Sequence, residues 1–304
     1  MRFGIWASPL QPWEESLDLV QHCEATGWDT VYFADHFMPN GPGPEALDGD
    51  TLECWSIMAA LAAQVPRMRL ASLVTSVTYR HPAVLANIAA AVDRISRGRL
   101  TLGIGAGWQE NEHAAYGIEL GTIPERMDRF EEAVEVIISL LREPRTTFAG
   151  KYFQLTSATN QPAPTQERLP ILIGGGGEKR TLRIAARRAD EWNTWSTPDV
   201  LAHKVGVLRS YCDQLGRDPA EISVSTQALL YLSQDDSWLA TKRSLDGAQP
   251  VIVGTPQEVV ERVSRYADAG AEELIVPAFN LGRTSRAKDT CDLFINEVAS
   301  HFRS

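Results

Sequence analysis

Short apolar runs alternate with longer amphipathic stretches along the whole of this chain, and that alternation restricts the fold more than any other feature. Turn-bounded apolar runs read as strands, and stretches with a period near 3.6 read as helices. Strands are expected over Arg2–Ala7, Trp28–Asp35, Arg69–Val77, Arg99–Gly107, Pro170–Ile173, Glu191–Trp195, Glu221–Leu232 and Glu272–Ala278. Helices are expected over Glu14–Thr26, Glu53–Val65, Ala83–Ser96, Glu125–Leu141, Lys179–Arg188, Asp199–Leu215, Pro256–Ala269 and Asp289–Phe302. Phe148–Leu155 reads as a small hairpin around Ala149-Gly150, inserted before the fifth strand. Eight strands, each followed by a helix, imply an α/β protein built as a single (β/α)8 TIM barrel. An open doubly wound sheet is the alternative, but no linker or break in composition divides the repeat. One domain over residues 1–304 is therefore expected.

Composition removes several function classes. With 44% apolar residues the chain is expected to be globular, not disordered. Its net charge of −10 argues against binding a phosphate backbone, so no nucleic-acid partner is expected. No apolar stretch reaches the ~18 residues of a membrane span. The start MRFGIWASPL has neither a basic n-region nor a long apolar h-region, which makes the cytoplasm the expected compartment. Cys23, Cys54, Cys212 and Cys291 form no CxxC pair and are expected to be reduced and buried. The histidines never cluster at ligand spacing, so no metal is expected.

In a barrel, chemistry sits at the carboxyl ends of the strands. The second strand ends in Asp35-His36-Phe37, and His36 is either a surface-loop histidine or a catalytic acid or base. The fourth ends in Gly103-Ile104-Gly105-Ala106-Gly107-Trp108, where alternate glycines suggest a bare face that a flat ligand could approach. Gly174 to Gly177 precede a helix and read as a phosphate cradle, although neither the P-loop nor the GxGxxG pattern is present. Glu110, Glu112 and His113 read as a solvated helix face. Trp6, Trp108, Trp192 and Trp195 fall at strand ends and imply an aromatic, apolar substrate pocket.

These residues resemble the bacterial-luciferase-like flavin and deazaflavin oxidoreductases. The matching segments are Phe33-Ala34-Asp35-His36, Tyr79-Arg80-His81-Pro82-Ala83-Val84, and Asp93 to Leu100 (DRISRGRL) running on to Trp108. The glycine run, Ala189-Asp190-Glu191-Trp192 and Gly254-Thr255-Pro256 follow in register. The resemblance implies a barrel that binds coenzyme F420, with FMN the alternative, and a small organic substrate stacked on the cofactor ring. It implies phosphate binding by Gly175, Gly176, Gly177 and Thr181, and an isoalloxazine-contacting bulge, often a non-proline cis peptide, at Leu73-Val74. Asp35 and Asn111 fall at further cofactor positions, and His36 at the catalytic one. The family's sugar-phosphate dehydrogenases carry a glutamate where this chain has Trp108. Hydride transfer with F420 is the expected activity. FMN-dependent monooxygenation is the alternative, ahead of a phosphate-ligand hydrolase and a non-catalytic subunit. A homodimer is the expected assembly.

Overall fold

The computed structural model describes residues 1–245, 249–283 and 285–303. In chain order the elements are β1 (Arg2–Trp6), α1 (Trp13–Thr26), β2 (Thr30–Phe33), α2 (Cys54–Gln64), β3 (Arg69–Ser72) and β4 (Thr75–Ser76). Next come α3 (Pro82–Ser96), β5 (Leu100–Gly105), α4 (Glu110–Tyr116), α5 (Ile123–Arg142), β6 (Thr146–Ala149), β7 (Gln154–Ala158) and β8 (Ile171–Gly174). The remainder is α6 (Thr181–Arg188), β9 (Glu191–Thr194), α7 (Pro198–Leu215), β10 (Ser223–Gln227), β11 (Leu229–Leu232), α8 (Asp236–Ala240) and β12 (Val251–Gly254). It closes with α9 (Pro256–Asp268), β13 (Glu273–Pro277) and α10 (Ser285–Glu297).

The chain folds as two compact units, one formed by Met1–Ser8, Glu14–Tyr32 and Gly175–Ser304, the other by Pro9–Trp13 and Phe33–Gly174. In the first unit β1 pairs in parallel with β2 and β13, and β10 with β13 and β9. Its core sets Phe294 against Phe3 and Trp28, with ring centroids 5.1 and 5.4 Å apart. In the second unit β5 pairs in parallel with β3, β4 and β8, under the apolar faces of α3 and α5. The β6–β7 hairpin precedes β8 and pairs Phe148 with Leu155, where the sequence places it. The four cysteines are free and buried. Among the described residues no helix is long and apolar enough to cross a membrane.

Several expectations need correction. The strand expected over Arg69–Val77 is two strands, β3 and β4, separated by Leu73 and Val74, whose peptide bond is cis. The long strand expected over Glu221–Leu232 is also broken. Ala228 N–H bonds to Ile275 O while Leu229 N–H bonds to Pro250 O, so the chain changes partners between them. The second partner, β12, was not anticipated, nor were the short helices α4 and α8. The helix expected from Lys179 begins at Thr181. The one expected over Asp289–Phe302 is α10, followed by a separate 3-10 turn at Ala299–Phe302.

The DRISRGRL segment explains itself as structure. Arg97, with φ of 59°, ends α3 in the left-handed region. Buried Asp93 accepts from Thr165 N–H (2.7 Å), Gln166 N–H (3.0 Å) and Gln166 Nε2 (2.7 Å), tying α3 to the loop before β8. Arg99 donates to the carbonyls of Ala62, Met68 and Ser96. Replacing Asp93 by Ala removes three hydrogen bonds to a buried carboxylate and should lower unfolding stability by about 1.5–3 kcal/mol in urea titrations. A change below about 1 kcal/mol would show that the loop is held by other contacts.

Candidate active site

The loop that follows β2 carries His36, and α4 holds that loop in place. Glu112 on α4 has a fully buried side chain whose Oε1 lies 2.7 Å from His36 Nδ1. Its Oε2 accepts the Phe37 N–H at 2.7 Å, and the Tyr79 hydroxyl donates to Oε1. Gln109 Nε2 donates to Met38 O (3.1 Å) and Asn111 Nδ2 to Pro39 O (2.8 Å). The solvated face expected for Glu112 and His113 is thus wrong: both are buried, because three donors satisfy the carboxylate inside the protein. Burial disfavours ionised Glu112, but His36, the Phe37 N–H and Tyr79 outweigh it and hold the carboxyl below its ordinary range.

A second network flanks this one. Arg80 grips both oxygens of buried Asp35, at 2.6 and 3.1 Å, and pairs with Glu53, the N-cap of α2. Burial pushes the Asp35 carboxyl up, more than Arg80 draws it down. His113 donates from Nδ1 to Gln109 O, and its Nε2 accepts from Thr78 Oγ1, both at 2.6 Å. Burial pushes its pKa down.

The glycines of β5 and β8 do something other than bare a face to ligand. A Cβ at Gly103 would overlap the Ser72 carbonyl oxygen, and one at Gly105 or Gly174 would lie 2.8 Å from the Val74 methyls. They make room for the Leu73-Val74 bulge, which leaves Val74 partly exposed above them. Asn111 is buried, and its Oδ1 meets no donor. A buried acceptor without a partner suits a ligand bearing an N–H.

In the other unit, Gly175 has φ of +118°, donates to Asn193 O and accepts from Trp192 Nε1, both at 2.9 Å. Lys204 Nζ donates to Gly176 O at 2.6 Å and pairs with Glu178. A Cβ at Gly176 would lie 2.9 Å from Thr194 Oγ1, and one at Gly177 2.9 Å from Thr181 Oγ1. The loop is thus a close-walled cradle with one cation beside it, followed by the N-terminus of α6.

A family model described as luciferase-like monooxygenase matches residues 1–243. The chain belongs to the luciferase-like monooxygenase family. An F420-dependent glucose-6-phosphate dehydrogenase of Microbacterium testaceum is 30% identical over 316 residues, spanning 90% of each protein. A protein of the same description from Segniliparus rotundus is 27% identical, covering 87% of this chain and 88% of the relative. The F420-dependent tetrahydromethanopterin reductase of Methanopyrus kandleri has the same fold, with a TM-score of 0.84, 19% identity and 99% of both chains covered. An F420-dependent secondary alcohol dehydrogenase, solved with an F420–acetone adduct, gives a TM-score of 0.85 at 21% identity, covering 100% of this chain and 99% of that one. The fold is the TIM barrel expected from the alternation of strands and helices.

Within this family member the sequence-expected residues fall into three settings. His36, Asp35, Leu73, Val74, Asn111 and Trp108 share one unit, where Trp108 is 58% exposed and edge-on to His36 at 5.6 Å. Gly175, Gly176, Gly177 and Thr181 form the cradle of the other. Trp6 and Trp195 pack edge-to-face in that same unit at 5.6 Å, with Phe279 5.3 Å from Trp6. Trp192 differs: it is fully buried and bonded to Gly175. Sequence reading missed Glu112, Tyr79, Arg80 and Lys204 as site residues. The available signal is the Glu112-His113 pair next to Asn111, which on an acidic chain reads as surface.

Glu112 gives a pH-dependent prediction. Its folded pKa lies below the ordinary 4.5, so its contribution to stability is full above that value and is lost as pH falls through the folded pKa. Glu112→Gln should therefore melt well below wild type at neutral pH, and the gap in Tm should narrow steadily on acidification below about pH 4.5. A gap that stays constant with pH would mean that the charge does not stabilise the fold.

Proposed function

We propose that this family member is an F420-dependent oxidoreductase in which His36 handles the proton that accompanies a hydride. The observation that carries the reading is His36 at a strand end, fixed through Nδ1 by a buried carboxylate while the ring stays partly exposed. The relatedness to F420-dependent dehydrogenases over 90% of the chain supports the same cofactor. The residues present fit such a group. In one unit the partly exposed Val74 of the bulge offers an apolar rest for a flat ring and Asn111 Oδ1 a buried acceptor for an N–H; in the other, Gly175–Gly177 with Thr181 offer a cradle for a phosphate. When bound, the deazaflavin supplies hydride exchange. Asp35 serves through Arg80, since both its oxygens are bonded there, and Trp192 through the carbonyl of Gly175.

The relatives named for glucose 6-phosphate raise the question of substrate. Trp108 sets an uncharged aromatic wall edge-on to His36, and we read the substrate as a small, largely apolar organic molecule.

Fluorescence titration of the oxidised cofactors tests this. F420 should bind in the micromolar range or tighter, and FMN at least about tenfold more weakly, a difference of ~1.4 kcal/mol. Gly176→Val, which crowds Thr194 and Lys204, should weaken F420 by about tenfold or more. Tighter FMN binding together with oxygen uptake by reduced FMN would replace this reading with a monooxygenase. For the proton step, His36→Ala should lower turnover by ~10²–10⁴-fold and leave F420 affinity nearly intact. Wild-type turnover in that variant would remove His36 from the chemistry.

A further inference from the structure

We propose that Glu112 and Tyr79 are positioning residues for His36. In this arrangement the Glu112 carboxylate keeps the imidazole proton on Nδ1, so Nε2 is the basic nitrogen that receives the substrate's proton. The inference rests on the oxidoreductase reading and deepens it.

An ionised carboxylate is an acceptor only, so the hydrogen shared between Glu112 Oε1 and His36 Nδ1 belongs to nitrogen. The other oxygen binds the N–H of Phe37, the next residue along, so one carboxylate fixes both the imidazole and the backbone that carries it. Tyr79 adds a hydroxyl donor to Oε1. Burial and Glu112 together push the Tyr79 phenol far above its ordinary range, which keeps it a donor throughout the working pH. Trp108 meets the imidazole ring edge-on and restricts its rotation. The neighbouring charges include Asp35, Arg80 and Glu53, which neutralise one another in part, and Arg126 beside His113, whose pKa burial pushes down. Glu112 is thus the charge bonded directly to His36. When bound, oxidised F420 would supply the acceptor for the hydride of an alcohol substrate's C–H bond. The adjoining O–H bond gives its proton to His36 Nε2, and a carbonyl forms. The reverse direction returns that proton from Nε2.

The test begins without cofactor. In protein carrying 15N-labelled histidine, neutral His36 should show a protonated Nδ1 and a bare Nε2. In Glu112→Gln the amide can present its N–H to Nδ1, so the Nε2-protonated tautomer should appear, while Glu112→Asp should keep the proton on Nδ1. With F420, Glu112→Gln should lose about 10²-fold in kcat while KM and cofactor Kd change by less than about threefold. The loss in kcat should follow the fraction of His36 found in the Nε2-protonated tautomer. Tyr79→Phe should show the same pattern at about a tenth of the loss. A proton on Nε2 in wild type, or an unchanged His36 tautomer in folded Glu112→Gln, overturns the proposal. Should Glu112→Gln fail to fold, the wild-type tautomer and Tyr79→Phe decide instead. Failure of the wild type to bind F420 would sink the oxidoreductase reading alone, since the tautomer is measured on cofactor-free protein.

Discussion

The buried carboxylate of Glu112 is the fixed point around which the site is assembled. An ionised group away from water is tolerated only when its lone pairs are filled, and here three donors arrive from two different loops. Each donor is thereby committed to one place. His36 and Phe37 belong to the segment after β2, and Tyr79 to the segment after β4. Two neighbours on the same short helix, Gln109 at its cap and Asn111 in its first turn, bind the next carbonyls along, those of Met38 and Pro39. The seven-residue α4 therefore acts as a clamp. It is too short to be stable by itself, and it is held by the same bonds through which it holds the loop.

Much of what looks like chemistry in this chain is architecture that makes the clamp possible. Asp93, Arg97 and Arg99, the most distinctive run, close one helix and tie it to a loop. Gly103, Gly105 and Gly174 are small because the Ser72 carbonyl and the Val74 side chain occupy the space beside them. Thr255-Pro256 heads α9 in a capping box with Glu258. Asn111 Oδ1, beside the loop that the clamp holds, is one of the buried acceptors that this architecture leaves without a donor.

Strand and helix order was legible because each element repeats its apolar pattern over several residues, and His36 was legible because it follows a strand end. The Leu73-Val74 bulge came from resemblance, since nothing in the residues RLASLVTSV breaks the strand period. Glu112 was not legible. ENEHAAY carries no apolar stripe, and the donors that bury its carboxylate lie 76, 75 and 33 residues away. The Val251–Gly254 strand was missed for a similar reason, as its partner became available only through the break at Ala228. Trp192 shows the converse error. Its position at a strand suggested a pocket wall, but side chains alternate along a strand, and this one points into the packed interior to hold Gly175.

Charge around His36 also bears on which way the proton moves most readily. Asp35, Glu53 and Glu112 bring three carboxylates to this corner, against the single guanidinium of Arg80. Raised as it is by burial, Asp35 still shares both oxygens with that guanidinium, which leaves Glu112 to face the imidazole. A proton arriving at Nε2 converts a neutral ring beside a carboxylate into an ion pair with the bond already formed. No side chain has to move for that stabilisation to be felt, which is the preorganisation that makes electrostatic assistance effective. Trp108 lies edge-on to the same ring, its centroid 5.6 Å away. The corner thus suits the role proposed for His36, that of a group that takes up a proton with its counter-charge already in place.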